Sequence, residues 1–206
     1  MFLPAAGADT QNRLLPPDAP FGFFAAAAGL HAAGWLVLAT AGVGDAAERI
    51  VDFRGGPGAV LAALHLMTIG VLALTAMGAG LQLLPMATVR PVKAAGWARL
   101  ALWLTAPGAA AFGMAFYHQT ALTLGGGLAA AGLAVFLALT ADNLRASGDM
   151  PAARQCGVVA AAAGAAMTAL GLALALDFHM GFLPDRAGAA AAHLALGLYG
   201  FMGMLT

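Results

Sequence analysis

Two histidines carry most of the chemistry that this sequence could do. His65 opens an apolar run, Leu64 to Pro85, LHLMTIGVLALTAMGAGLQLLP. His193 opens another, AHLALGLYGFMGMLT, close to the last residue. A neutral imidazole enters a bilayer at acceptable cost when both ring nitrogens find partners, and it is a good ligand for haem iron. The same side chains could also serve as hydrogen-bonding glue between helices. Thr68, Thr75 and Gln82 fall at i+3, i+10 and i+17 from His65. On a regular helix that puts them in one polar stripe about 100° wide. They could line a water or proton path, touch a cofactor's edge, or bond to a neighbouring helix. Gly197 and Gly200 lie at i+4 and i+7 from His193. They leave a face bare of side chains against which a flat ring could lie.

The other candidates are more ambiguous. His179 and Met180, in DFHMGF, pair an imidazole with a thioether, a combination that suits copper. A loop histidine beside an incidental methionine reads the same way. His118 follows Tyr117 at the end of an apolar run, as an interfacial anchor would. His31 and Trp35 share a helix face and could supply a third ligand or a packing contact. No apolar run contains a pair of acids. Asp45, Glu48, Asp52, Asp142, Asp149, Asp177 and Asp185 fall in or beside the connections. Ion-coupled pumps normally keep an acid inside the membrane, so this pattern counts against one. There is no C-x-x-C-H, nucleotide loop, G-x-S-x-G or H-E-x-x-H.

The elements that must position these residues follow from composition. The chain has 206 residues, 62% hydrophobic and 9% charged. Soluble domains carry about 25% charge, so the expected class is an integral membrane protein partnered by the lipid bilayer. Its formal charge is zero and its nine basic residues are dispersed, which argues against nucleic acid. The single cysteine, Cys156, permits no internal disulfide. The apolar runs are too long for strands and lack their two-residue alternation. The reading is an all-α, polytopic transmembrane bundle of about six spans, each near the ~20 residues that cross the hydrocarbon core. The spans are 21–43, 57–86, 94–117, 119–141, 155–176 and 187–206, after an irregular cytoplasmic tail, 1–20.

Lys and Arg set the orientation. Connections on the N-terminal side hold Arg13, Arg90, Lys93, Arg99, Arg145 and Arg154, against Arg49, Arg54 and Arg186 on the other. Six against three predicts a cytoplasmic N-terminus. Spans two and six then begin at the outer face, with His65 and His193 one to two turns inside it. His118 and His179 belong to the same depth zone. Equal depth permits a bis-histidine site between spans two and six.

HLMTIGVLALTAMGAGLQLLPM resembles the second-helix region of subunit-I-like proteins of the haem–copper oxidase superfamily. These include short bacterial relatives and resemble nitric-oxide-related membrane haem proteins. The resemblance covers about 25 residues and, loosely, the six-helix layout. It implies a b-type haem in a bacterial inner membrane, with His65 as an axial ligand near the outer face. It further implies electron transfer or nitric oxide or oxygen handling with a redox partner or other membrane subunits. AHLALGLYGFMGMLT is similar to a second-half segment of such relatives. His65-Leu66 and His193-Leu194 stand 128 residues apart, as a weak internal repeat would place them. On that reading the counterpart of Gln82 to Pro85 falls beyond Thr206, and a longer protein is expected. The chain departs from the family in having no adjacent His-His pair, no H-P-E-V-Y-like segment and no counterpart of the histidine-rich tenth helix. An oxidase-type copper site is therefore unsupported. Oxidoreductase activity is expected only within a longer chain or complex. Two competing readings stay open: a copper-handling or transport protein using outer-side His and Met, and a non-catalytic membrane subunit.

Overall fold

The structure is a computed structural model that describes residues 14–42, 53, 56–92, 95–118, 120, 122–145 and 151–205. Arg13, Asp45, Glu48, Arg49, Asp52, Arg54, Lys93, Gln119, Asp149 and Thr206 lie outside the described residues. So does most of the expected tail.

The described residues form helices and connections, with no strand among them. Helix α1 spans Asp18–Ala41, α2 Ala59–Thr88, α3 Ala95–His118, α4 Thr123–Arg145 and α5 Pro151–Met180. Helix α6 comprises Arg186–Ala195, Leu196–Met202 and Gly203–Leu205 in succession. Five helices, α1 to α5, are long and apolar enough to cross a membrane, which marks the chain as a multi-pass membrane protein. The expected sixth crossing corresponds to the shorter, interrupted α6.

The ends of the helices differ from expectation for local reasons. Helix α1 begins at Asp18 behind Pro17, with Pro20 in its first turn. Proline is tolerated there because first-turn N–H groups have no intrahelical acceptor. Helix α5 continues to Met180, so Asp177 and His179 sit on its last turn rather than in a loop. Gly181 ends it, with φ +61°, and donates its N–H to the Asp177 carbonyl at 2.9 Å. That left-handed turn suits glycine.

Small residues set the helix spacing. At Gly108 a Cβ would collide with the backbone of Ala129, and at Gly125 with the backbone of Phe112. The α3–α4 pair therefore packs backbone to backbone, the close approach that drives association in lipid. Helix α2 lies between α1 and α3, with Gly70 against Leu30 and Gly113 against Leu66. Polar contacts tie one end of the bundle together. Thr88 Oγ1 donates to Asn143 Oδ1 at 2.6 Å, Asn143 Nδ2 donates to the Arg90 carbonyl at 3.2 Å, and Arg99 pairs with Asp18 at 2.7 Å.

Helices α2 and α6 share an irregularity. Each contains a π-helical segment, Thr68–Ala73 in α2 and Leu196–Met202 in α6. Each begins three residues after the histidine. A π segment closes i→i+5 hydrogen bonds and shifts the face that follows it. This overturns the single polar stripe expected for α2, which assumed a uniform 3.6-residue turn. Thr75, beyond the π segment, is exposed on the outside of the bundle. Thr68 Oγ1 donates to its own helix, at the Leu64 carbonyl, 2.8 Å away.

Candidate functional site

The start of α2, the ends of α3 and α5, and the start of α6 meet at one end of the bundle. Aromatic contacts define that meeting. His65 stacks on Phe116 with ring centroids 4.7 Å apart and planes 28° apart, and it meets Phe112 edge-on at 5.1 Å. Phe116 in turn packs on Phe178 of α5 at 5.8 Å. Phe112 and Phe116 are four residues apart, so one face of α3 presents both rings to His65.

Both histidines are held through the same ring nitrogen. His65 Nδ1 lies 2.8 Å from the Leu61 carbonyl oxygen, one turn back on its own helix. His193 Nδ1 lies 2.9 Å from the Met167 carbonyl oxygen of α5. A carbonyl only accepts, so each Nδ1 must carry the proton and donate. In a neutral imidazole the lone pair then resides on Nε2. Among the described residues neither Nε2 has a hydrogen-bond partner, and neither is sealed away as a buried, unpaired atom. Gly171 makes room for the second ring, since a Cβ there would stand 2.8 Å from His193 Cε1.

The structure places His65 and His193 at the same end of the bundle, each held through Nδ1, and gives the other expected cofactor contacts, Gly197, Gly200 and Gln82, different partners. The bare face of α6 is taken by α5: a Cβ on Gly197 would meet Met167 Sδ at 3.0 Å, and one on Gly200 would meet Ala163 Cβ at 2.5 Å. These glycines serve close helix approach. Gln82 lies seventeen residues beyond His65, about 25 Å along the helix axis. There its Oε1 accepts the Leu15 N–H at 3.3 Å, holding the segment before α1. His31 accepts from Trp35 Nε1 at 2.8 Å on the exposed side of α1. His118 packs against Tyr117 at the end of α3. Met180, at the end of α5, is 70% exposed. Cys156 is exposed near the start of α5, at the other end of that helix.

Protein-only structural centres gather about four side-chain ligands. Among the described residues no three His, Cys, Asp or Glu come together in that way. Haem iron, whose macrocycle fills the equatorial positions, needs only one or two axial imidazoles. His65 and His193 each present an imidazole with a free Nε2, the kind of side chain that can serve in that way. Sequence reasoning did not single out Phe112, Phe116, Phe178, Gly171 or Arg186 as parts of this end of the molecule. Only the i, i+4 spacing of Phe112 and Phe116 was visible as a signal. No family model matches the chain, and neither a curated protein nor a solved structure is similar to it.

Proposed function

We propose that the chain is a membrane b-type haem protein in which His65 and His193 supply the axial ligands. The observation that carries this reading is the matched state of the two imidazoles at one end of the bundle: Nδ1 bonded to a backbone carbonyl, Nε2 free. Haem b held by these residues would supply a one-electron couple and a metal able to bind a diatomic gas. The protein's own residues do the rest. The Leu61 and Met167 carbonyls fix the tautomer and orientation of each ring and raise the basicity of Nε2. Phe112 and Phe116 pack against His65 and lower the local dielectric, which is one of the ways a protein sets the iron's potential.

In this reading the chain crosses the membrane six times with its N-terminus in the cytoplasm. The two-histidine end then faces outward in a bacterial inner membrane. Electron transfer, or nitric oxide or oxygen handling, proceeds with a redox partner or further membrane subunits. The test is spectroscopic. The chain, produced with haem available and purified in detergent, should give a reduced-minus-oxidised spectrum with the α band of b haem. His65→Ala should abolish it. A colourless protein holding stoichiometric copper would favour copper handling instead. Absence of both would leave a structural membrane subunit.

A further inference from the structure

Helices α2 and α6 carry their histidines with unequal support. Around His65, Ala62, Ala63 and Leu66 are all buried against neighbouring helices. The corresponding part of α6, Arg186–Ala195, has no buried residue. Its nearest fully buried side chain is Phe201, 1% exposed, set against Phe136 and over Gly164, while His193, Gly197 and Gly200 make the closer contacts with α5. Between Phe201 and His193 lies most of the π segment Leu196–Met202, where the regular helical hydrogen bonding is interrupted. The side chains of Arg186–Ala195 therefore add little buried surface to those contacts.

A polar clamp stands just above this segment. Asp177, on the last turn of α5, is 6% exposed. Its Oδ1 accepts the Leu183 N–H at 2.6 Å and its Oδ2 accepts Arg186 Nη1 at 2.6 Å. Arg186 opens α6. Its Nη2 donates to the Leu174 carbonyl at 3.4 Å, and its guanidinium lies 3.6 Å over the Phe178 ring. Phe178 packs on Phe116, and Phe116 stacks on His65. Asp185 caps α6 by accepting the Gly188 N–H at 2.8 Å. One ion pair thus ties the end of α5, the turn and the start of α6 to the aromatic cluster that holds His65.

We propose that Asp177 and Arg186 are positioning residues that fix the register of α6 on α5, so that His193 is held against Met167 and Gly171. This rests on the reading of the two histidines as a ligand pair. The reason for an ion pair is specificity: a buried charge removed from its partner is strongly disfavoured, so alternative registers of α6 are penalised. Hydrophobic contacts along an Ala-rich helix would distinguish those registers poorly.

The test reads register directly. In a Cys156→Ser background, Met167→Cys and Gly197→Cys place two thiols across the α5–α6 contact. The full chain in membranes is oxidised and the rate of disulfide formation followed, without and with added haem. Adding Asp177→Asn or Arg186→Gln should slow cross-linking at least fivefold, and Arg186→Lys should retain most of the rate. In haem-loaded protein lacking the two engineered cysteines, Asp177→Asn and Arg186→Gln should convert a low-spin bis-histidine signal to a high-spin one, as His193→Ala does. Arg186→Gln keeps the Asp177–Leu183 bond and provides the test if Asp177→Asn does not accumulate. Unchanged cross-linking rates in the clamp variants would overturn the proposal, even if haem binds. Clamp-dependent cross-linking in a protein that takes up no haem would support the clamp and reject the haem reading.

Discussion

Helices α2 and α6 carry the same short pattern, His-Leu followed by a π segment, in very different surroundings. In α2 the leucine of the pair, Leu66, is 2% exposed, while in α6 Leu194 is 54% exposed. In α2 the histidine bonds to its own helix, at Leu61; in α6 it bonds to a neighbour, at Met167. The comparison separates what places a polar ring in a membrane bundle. One ring is placed because its helix is wedged between neighbours. The other is placed because its helix is tied at one end by an ion pair and at the other by a buried phenylalanine. The shared π segments fit with both helices carrying a functional imidazole, since such irregularities are frequent at functional sites.

The contrast is most easily broken at the two leucines. Leu66→Ala should cost about 2–5 kcal/mol, the usual range for emptying a buried leucine site. Leu194→Ala should stay within about 0.5 kcal/mol, as an exposed position does. Denaturant unfolding in detergent micelles would measure both, and similar losses would contradict the asymmetry. The glycines give a smaller effect of the same kind. Gly113→Ala drives a methyl to within 2.6 Å of Leu66 Cγ, in a region with no room to yield, and should cost about 1–3 kcal/mol. Gly197→Ala meets only the flexible end of Met167, which can move aside, so its melting temperature should stay near that of the parent. The smallest change concerns the opposite end of α2. Gln82→Leu removes the bond to Leu15 and should lower stability by about 0.5–1.5 kcal/mol. The absorption spectrum of haem-loaded protein should not change, because Gln82 is remote from both histidines.

The sequence disclosed the elements that depend on hydropathy and length. Long apolar runs with charge confined to the connections mark helices α1 to α5 on their own. The placement of His65 and His193 at one end of the bundle was legible as equal depth, because alternating spans place every second helix start at one face. The contents of α2 were not. The polar stripe through Thr75 and Gln82 relied on an unbroken helical period, and the π segment removes it. Gly197 and Gly200 looked like a bare surface because spacing along one helix cannot show that Ala163 and Met167 of another occupy it. Hydropathy places Asp177 in or beside a connection and says nothing of its partners. Its role depends on a turn that brings Leu183 and Arg186 back over the end of α5, and that geometry begins with the left-handed conformation of Gly181.

The central claim is that His65 and His193 ligate one haem. Reduced-minus-oxidised spectra of the purified chain, of His65→Ala and of His193→Ala test it most directly. The account predicts a b-type α band in the parent, its loss in His65→Ala, and a high-spin spectrum in His193→Ala. A parent chain that stays colourless after expression with abundant haem would contradict it, as would an α band that survives unchanged in both variants.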